Sequence, residues 1–336
     1  MKKLQILLGM VLCTITVCAQ TTECGTVFNV NEYNSFIQSH HQRVYAKGDT
    51  RSVVLYFPIQ YHIFRNSNGE IALSISETQN MTNRLNSTYA IANIQFYSCD
   101  NVDVITNNNY YNFSLSQASG LSEYDNPNAI NVYLFNTISD NNISYAGYGY
   151  FPWYGIDRVY IAKNFANETT VSHEFGHYFG LLHTHDTKYG EELVDGSNCK
   201  TAGDKICDTP ADPKLNFNNS VDCNCNYIGN ETQNGIPYSP STINIMSYSR
   251  RECRTQFTSG QISVIQYYAQ TARLYLIDTK LITNRTITGS ETYVNDIVEV
   301  KNTKVKSGGS IIIDFCESAT IDGPFEVELG ATLEIK

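Results

Sequence analysis

The 336-residue sequence is poor in charge and lacks a hydrophobic run long enough to cross a membrane. Only 17% of the residues are charged, whereas an average soluble domain has about 25%. The balance is acidic, and no Lys/Arg cluster is present, which excludes nucleic acid and anionic membranes as expected partners. The apolar run of residues 4–17 is shorter than the roughly 20 residues that span a bilayer. Function therefore has to be sought in local motifs.

Residues 1–19 have the pattern of a cleaved signal peptide. Lys2 and Lys3 precede the apolar run, and residues 17–19 end on the small residue that signal peptidase requires. Cleavage would also remove Cys13 and Cys18, leaving eight of the ten cysteines in an oxidising compartment. We expect a secreted protein, extracellular or periplasmic or on the cell surface, with no integral membrane segment after signal removal.

Past the polar residues 20–51, strand and helix patterns mix. Ser76 and Gln79 form a capping box for one helix, and Thr258 and Gln261 form another. Runs of β-branched and aromatic residues predict strands at 53–59, 94–97, 130–135 and 158–162. This mixture predicts an α/β or α+β domain.

The last part of the chain, from about residue 283, consists of short β-rich phrases. Val305–Ile313 is echoed 22 residues later by Val327–Ile335, with a glycine turn before alternating apolar residues in each copy. Such an echo predicts a small module of stacked strands that serves attachment, retention or stability rather than chemistry.

The most specific motif is HEFGHYFGLLH at residues 173–183. Residues four apart share one face of a helix, so His173 and His177 point to one place, with Glu174 beside them. Gly180 can end the helix in a left-handed turn that brings His183 round as a third ligand. Three neutral imidazoles with one open position are the ligand set of a catalytic zinc ion.

This interpretation has two alternatives. A surface helix that matches all five fixed positions by accident is expected in about one in a hundred thousand chains of this composition. His185 is a rival third ligand on proximity, but the glycine spacing favours His183 and leaves His185 on the wall of the cleft.

The zinc motif resembles the extended signature of the metzincin peptidases, and the segment NIMSY at 244–248 is similar to their methionine turn. The stretches GDKICDTP at 203–210 and FTSGQ at 257–261, with Cys253 between the turn and the second stretch, resemble the pappalysin family in particular. The resemblance covers roughly residues 145–270. It implies an α+β fold in which a twisted mixed sheet and the zinc helix lie above a smaller part that holds the turn.

The resemblance also implies the roles of a zinc endopeptidase. His173, His177 and His183 would hold zinc, and Glu174 would take a proton from the attacking water and pass it to the leaving amine. Tyr248 would donate to the developing oxyanion. Met246 would support the site by packing alone.

An upper-rim strand is implied at Gly147, Tyr148, Gly149 and Tyr150, to which an extended substrate would add as a further strand. The alternative is an ordinary edge strand.

The resemblance implies that an acidic residue near the cysteine after the turn selects a basic side chain, Arg or Lys, after the cut bond, and Glu252 occupies a comparable place. Arg250 and Arg251 stand where close relatives carry acids, and a solvated run of charges is the alternative.

Residues 20–51 form a candidate pro-segment. The Cys24 thiolate could occupy the open zinc position, as a short pro-segment does in relatives, or Cys24 could instead be in a disulfide. Release would follow a cut beside Arg51. The Thr50–Arg51 bond suits self-activation, and the Arg51–Ser52 bond suits a trypsin-like protease.

The resemblance implies two disulfides around the turn. The implied pairs are Cys199 with Cys225 and Cys223 with Cys253, with Cys207 as an alternative partner. It also implies that the region of Asp204, Asp208 and Thr209 holds calcium, since loop oxygens suit that ion. A solvent-facing acidic turn is the alternative there.

We therefore expect a secreted, latent zinc endopeptidase that acts on proteins or peptides and is monomeric. Its expected parts are a signal peptide at 1–19, a pro-segment at 20–51, a metzincin-like catalytic domain at 52–282 and a β-rich domain at 283–336. The alternatives are a zinc-containing binding or adhesive protein that has lost turnover and a hydrolase of non-peptide amides.

Overall fold

The structure, a computed structural model, describes residues 22–26, 28–40, 54–99, 102–216, 220–277 and 279–336. In the part before the C-terminal strands, the elements in chain order are β1 Thr22–Cys24, α1 Val30–His40, β2 Leu55–Arg65, α2 Ile75–Tyr89, β3 Ile94–Tyr97, β4 Val102–Thr106, α3 Asn108–Tyr111, β5 Asn112–Ser114, β6 Ile130–Phe135, β7 Thr137–Asp140, β8 Ile143–Gly149, β9 Arg158–Ala162, α4 Thr170–Tyr178, β10 Thr232–Gln233, β11 Ile236–Pro237 and α5 Ser259–Gln270. Short 3₁₀ turns lie at Ala90–Ala92, Leu115–Glu123, Pro152–Tyr154, Lys163–Phe165, Arg251–Cys253 and Leu274–Leu276.

The main body is built on one twisted, mixed sheet. Its strands run in the order β3-β2-β6-β9-β8-β7-β5, with β4 also paired to β2 and β1 also paired to β8. Strands β2, β3, β4, β6 and β9 are parallel, whereas β8 is antiparallel to both β9 and β7. Every residue of β6 and of β9 is buried, as expected of parallel strands covered on both faces. The predicted strands at 94–97, 130–135 and 158–162 are confirmed.

Three helices, α2, α4 and α5, share one apolar core with the sheet. The buried stripe of α2 includes Met81, Leu85 and Tyr89. The capping box of α2 is formed by Ser74 and Glu77, so the prediction of a box at Ser76 was wrong by two residues. The box at Thr258 that opens α5 is confirmed. The sheet with packed helices confirms the α+β class.

The C-terminal strands form a separate all-β stack. They are β12 Thr279–Thr283, β13 Thr286–Ile287, β14 Ser290–Val294, β15 Ile297–Val305, β16 Ser310–Asp314, β17 Ser318–Val327 and β18 Thr332–Ile335. All their pairings are parallel, and Val305 lies beside Val327 while Ile313 lies beside Ile335. The 22-residue echo in the sequence therefore places equivalent residues in adjacent layers. Strand β12 pairs with β15, so the stack begins at Thr279, before the expected boundary at 283.

A disulfide between Cys99 and Cys316 joins this stack to the segment after β3. The Tyr97 hydroxyl donates to Asp296 at 3.3 Å beside it. Among the described residues, no helix is long and apolar enough to cross a membrane.

Candidate active site

Helix α4 carries the first half of the zinc motif and is buried along its whole length. It ends in a glycine turn: the Gly180 N–H donates to His177 O at 2.8 Å and the Leu181 N–H donates to Gly176 O at 2.9 Å. Gly180 has φ +88°, a backbone conformation that a residue with a Cβ rarely adopts. This is the Schellman arrangement that closes a helix and redirects the chain. It carries the chain back toward the helix, which places His183 beside the first two histidines.

The three histidines of the motif converge on one point. Nε2 of His183 lies 3.1 Å from Nε2 of His177 and 3.2 Å from Nε2 of His173. Zn–N bonds of about 2.0–2.1 Å in a tetrahedral site put ligand nitrogens about 3.3 Å apart. The observed triangle therefore fits a zinc ion.

The protonation of the imidazoles also fits a metal. Nδ1 of His173 donates to Ile245 O, and Nδ1 of His177 donates to Leu181 O, each at 2.7 Å. A carbonyl oxygen only accepts, so both Nε2 atoms keep their lone pairs and face each other. Burial lowers the pKa of His177 to about 4 and lowers the pKa values of His173 and His183 well below 6.5. Neutral rings with opposed lone pairs favour a cation between them.

The methionine turn lies directly under helix α4. Met246 is fully buried, and a Cβ at Gly176 of the helix would run into its sulfur. Asn244 shapes the turn by accepting from the Met246 N–H at 2.8 Å and by donating to Gln261 of α5 at 2.9 Å. The turn thus supplies the Ile245 carbonyl that orients His173.

Tyr248 and His185 line the wall beside His183. The Tyr248 ring centroid is 4.8 Å from that of His183 and 4.4 Å from that of His185, and the two histidine rings stack at 4.9 Å. Among the described residues, the cluster with metal-ligand spacing includes His183 but not His185.

The strand β8 lies along the upper side of the site, and its glycines permit the close approach. A Cβ at Gly147 would lie 2.6 Å from Cγ of Glu174, and one at Gly149 would run into the Glu174 carbonyl. Tyr148 and Tyr150 flank these glycines, and Tyr148 packs against Tyr150 at 4.9 Å. Glycine in a strand is typical of such backbone contacts.

Strand β1 occupies the outer edge of β8. The two strands are parallel, with Thr22 opposite Tyr145 and Cys24 opposite Gly147. The Gly25 N–H donates to Gly147 O at 2.9 Å, and Gly149 N–H donates to the Thr26 hydroxyl at 2.9 Å. Residues 22–26 therefore bind the outer backbone edge of β8 at Gly147 and Gly149.

Cys24 is buried beside the histidines. Its Sγ and the ligand nitrogens of His173, His177 and His183 all lie within 4.8 Å of one another. The same Sγ is 3.2 Å from Oε2 of Glu174, which also accepts from the Thr26 hydroxyl at 3.2 Å. Burial and the neighbouring Glu174 raise the pKa of the thiol in the absence of a cation. Thr26 was not among the residues singled out from the sequence.

The disulfides correct the pairing that the resemblance implied. Cys199 pairs with Cys207 and Cys225 pairs with Cys253, so neither implied pair is formed. Cys207 reaches Cys199 because the loop between them turns back within eight residues, with the two Cα atoms 5.0 Å apart. Among the cysteines that the structure describes, Cys223 is exposed and unpaired, and Cys24 is buried and unpaired.

In the region predicted to hold calcium, Asp204 is buried and Asp208 is exposed. Asp204 accepts from the Thr209 hydroxyl at 2.8 and 2.9 Å, while Asp208 accepts from Thr258 and from the Gly260 N–H at the start of α5. Burial raises the pKa of Asp204 and raises the pKa of Glu192 to about 7. Glu192 was missed because nothing in its local sequence predicts burial.

Glu252 lies on a 3₁₀ turn, Arg251–Cys253, beyond the methionine turn. Its carboxylate is exposed and accepts from Arg250 Nε at 2.6 Å. The predicted processing residues Arg51 and Ser52 lie outside the described residues.

Comparison with known proteins agrees with this geometry. The sequence profile of the peptidase M43 family, described as pregnancy-associated plasma protein-A, matches residues 116–268. An extracellular metalloprotease of Neurospora crassa is 28% identical over 233 residues, which is 63% of this chain and 72% of the relative. An extracellular metalloprotease of Colletotrichum graminicola is 26% identical over 274 residues, 73% of this chain and 89% of the relative.

Two solved structures share the fold. A promirolysin variant of Tannerella forsythia superposes with a TM-score of 0.54 at 17% identity, covering 76% of this chain and 97% of that chain. Mature mirolysin of the same organism in complex with a cleaved peptide gives a TM-score of 0.50 at 20% identity, covering 68% and 97%. The family profile, the metalloprotease relatives and the histidine cluster together show a zinc metallopeptidase whose residues 116–268 match the pappalysin family.

Proposed function

We propose that this protein is a secreted endopeptidase that hydrolyses peptide bonds in proteins and is made as a latent precursor. The observation that carries the proposal is the position of Cys24, whose sulfur meets both the histidine triangle and Glu174 while its backbone fills the edge of β8. The precursor would consist of a signal peptide (1–19), a pro-segment (20–51), the catalytic domain and the C-terminal strand stack. The extracellular relatives support export.

The catalytic roles follow from the chain's own groups. When bound, zinc supplies a Lewis acid that lowers the pKa of water from about 15.7 toward 7 and polarises the scissile carbonyl. His173, His177 and His183 would hold it, and the carbonyls of Ile245 and Leu181 keep the rings of His173 and His177 in the binding tautomer. Glu174, one residue after the first ligand, accepts the proton of the attacking water and donates it to the leaving amine.

Residues on the two sides of the active-site cleft orient the substrate. The edge of β8 at Gly147 and Gly149 pairs with the peptide backbone once residues 22–26 have left. Tyr248, against the His183 ring, donates to the oxygen on which negative charge develops. Met246 supports the helix from below without contacting substrate.

Latency has two components. Cys24 would fill the fourth ligand position of the histidine site, where its thiolate form is favoured by the cation. The Thr26 hydroxyl donates to the carboxylate of Glu174, so the base is also blocked. Cleavage at Thr50–Arg51 or at Arg51–Ser52 would release the segment, and N-terminal sequencing of the active form distinguishes the two. An active form that starts at Gln20 would contradict the latent precursor.

A preference for Arg or Lys after the cut bond remains part of the proposal. Glu252 offers an exposed carboxylate, and Arg250 partly offsets its charge at 2.6 Å. A basic substrate side chain would have to displace Arg250. Cleavage of matched peptides with Arg or Leu after the cut bond should therefore favour Arg, less so in Glu252→Gln and more so in Arg250→Ala. Equal ratios in all three proteins would exclude the assignment.

Calcium is proposed at the loop of Asp204, Asp208 and Thr209, with Glu192 as a further carboxylate. The mutual repulsion of Asp204, Asp208 and Glu192 raises the pKa of Asp204 beyond the effect of burial. A hard divalent cation with oxygen ligands would remove that repulsion. A rise of Tm on adding calcium to chelator-treated protein is expected, and an unchanged Tm would contradict the site.

The decisive test of the enzyme is hydrolysis of an unfolded protein by the chain after limited proteolysis has removed its pro-segment. Glu174→Ala should lower the rate by about 10²–10⁴-fold while its zinc content stays at the wild-type value. Equal rates in the two proteins would leave the alternative, a zinc-containing binding protein without turnover. Mapping cleavage sites on a peptide pool then separates a peptidase from a hydrolase of other amides.

A further inference from the structure

Beyond Cys24, the pro-segment enters a cleft whose walls are aromatic. This aromatic cleft is formed by catalytic-domain residues, and it lies past the end of the rim strand β8. Its lining residues are Phe151, Leu182, Trp153, Tyr189 and Tyr268. Phe151 and Trp153 stack face to face at 4.3 Å, which gives the cleft a rigid floor.

Three aromatic side chains of the pro-segment contact this cleft. Phe28 is buried, with its ring 5.6 Å from that of Trp153 and 5.5 Å from that of Tyr189. Tyr33 packs edge-on against Trp153 at 5.0 Å, and Phe36 contacts the outer side of the cleft. The cleft therefore already holds an aromatic side chain carried on a polypeptide that enters from the rim of the active site.

The aromatic cleft is continuous with the metal site. The Phe151 ring lies 5.2 Å from the ring of His177, edge to face. Phe151 follows Gly149, the last residue of β8, by two positions. A peptide that pairs with β8 therefore passes from the metal site directly into the cleft.

Polar groups around the cleft fit a polypeptide as occupant. Lys188 donates to the backbone carbonyl of Phe28 at 3.2 Å. Among the described residues, the buried Tyr189 hydroxyl has no hydrogen-bond partner, which is costly for a buried donor. Lys205 lies over the Tyr189 ring at 3.0 Å and holds that ring in place. The lining thus offers one side-chain donor, the Lys188 ammonium, that already binds a peptide carbonyl, and one hydroxyl that a bound peptide could satisfy.

We propose that the aromatic cleft is a substrate subsite that selects an aromatic or large aliphatic side chain. This inference rests on the proposed function, since the subsite opens only when the pro-segment leaves. Removal would expose the rings of Phe151, Trp153 and Tyr189 together, and large exposed apolar patches mark binding sites. The occupant is a polypeptide substrate, for which Phe28 serves as an internal example.

The distance along the chain sets the position of the selected residue. Phe28 follows Cys24 by four residues, an extended reach of about 13 Å. A pro-segment that lay in the productive direction would present its own peptide bond for hydrolysis, so its stable binding favours the reverse direction. A substrate that runs antiparallel to β8 then places in the cleft roughly the third to fifth residue before the cut bond.

The test uses the full chain, activated by limited proteolysis and first shown to hydrolyse an unfolded protein. Absence of any hydrolysis at that stage counts against the proposed function. The subsite is then tested by peptide binding to Glu174→Ala, which needs no turnover. Quenched peptides that share one cleavable core and differ in a single upstream residue, Phe, Leu, Ala or Lys, are compared. We expect kcat/KM to be about 10- to 100-fold higher for Phe than for Ala at one of these upstream positions. Equal values at every upstream position in an active enzyme would overturn the subsite.

Variants locate the preference in the cleft. Trp153→Ala should reduce the Phe/Ala ratio to about threefold or less, whereas Ile228→Ala, an exposed apolar residue elsewhere, should keep it. If Trp153→Ala does not fold, Trp153→Leu replaces it, and a ratio unchanged in a folded variant contradicts the proposal.

Fluorescence gives a second readout that needs no turnover. Trp153 is the only tryptophan of the chain, so its emission reports on the cleft alone. In activated Glu174→Ala, titration with the Phe peptide should shift the emission at concentrations at least about tenfold lower than the Ala peptide requires. Identical titration curves for the Phe and Ala peptides would contradict the subsite and would mean that the aromatic cleft only binds the pro-segment.

Discussion

The Sγ atom of Cys24 lies 3.2 Å from Oε2 of Glu174, across 150 residues of sequence. The contact places a thiol from the first strand directly on the proposed catalytic base, within reach of all three histidines. It exists because β1 pairs in parallel with β8, which sets Cys24 opposite Gly147, and Gly147 in turn leaves room for the Glu174 side chain. One strand pairing therefore places Cys24 against both the histidine cluster and Glu174.

Replacement of Cys24 by Ala should raise the activity of the uncleaved chain. The variant removes the sulfur from the histidine site but leaves the Thr26 contacts, so we expect a gain of about tenfold, equivalent to about 1.4 kcal/mol. Hydrolysis by protein with an intact N-terminal segment, verified by mass spectrometry, measures this. Cys223→Ala is the matched control, because Cys223 is also unpaired but exposed. The same activity in both variants would contradict a role for Cys24 in latency.

Gly147→Ala should impair catalysis without removing the metal. The added Cβ would lie 2.6 Å from Cγ of Glu174, so the base or the rim strand must shift. A displacement of about 1 Å can lower kcat by about 10²-fold. Zinc content and kcat are measured on the same activated preparation, with Ser144→Ala on the exposed start of β8 as the control. Wild-type kcat in Gly147→Ala would show that this close packing has no catalytic consequence.

The sequence predicted the parts of the fold that are determined locally. Strands β3, β6 and β9 have the predicted bounds because their apolar runs end at polar or turn residues on both sides. Helix α2 shows the limit of such local rules, since Ser74 and Ser76 each have an acceptor three residues later. The charged Glu77 is the stronger acceptor and starts the helix at the earlier serine.

Features that depend on tertiary contacts were not predictable in the same way. Thr22–Cys24 has no apolar alternation and becomes a strand because the edge of β8 supplies its hydrogen bonds. The disulfide partners of Cys199 and Cys225 depend on how the loops turn in space, which spacing alone does not determine. Within the candidate site, the spacing of residues 173–183 predicted three convergent histidines, but not Thr26, which holds Glu174 from the other side.

Gly180→Ala should weaken zinc binding more than it weakens the fold. An alanine at φ +88° costs about 1–2 kcal/mol of folding free energy. Its Cβ would also run into the Tyr268 ring, and this clash would displace the turn that positions His183. Zinc affinity should fall by about 10- to 100-fold in competition with a chelator. Gly155→Ala is the control, because it has φ +63° but no atom within 4 Å of the added Cβ. Equal zinc affinity in the two variants would contradict the role given to the Gly180 turn.

Glu192 should make the calcium-free protein less stable as the pH rises. Burial raises the pKa of Glu192 from 4.5 to about 7, so between these values the folded protein binds more protons than the unfolded chain. Its contribution is therefore fully present below pH 4.5 and is lost as the pH rises through about 7.

Thermal unfolding in chelator between pH 5 and pH 8 measures this effect. At pH 8, Glu192→Gln should have a Tm roughly 2–4 °C above that of the wild type, and the difference should vanish toward pH 5. Glu191→Gln, at the exposed neighbouring position, is the control and should follow the wild type. Calcium should reverse the order at pH 8, because the ion stabilises the ionised carboxylates of Glu192 and Asp204 and the glutamine variant has lost one of these ligands. A Tm difference that is the same at both pH values would show that Glu192 is not the group that titrates, and an order unchanged by calcium would remove Glu192 from the proposed site.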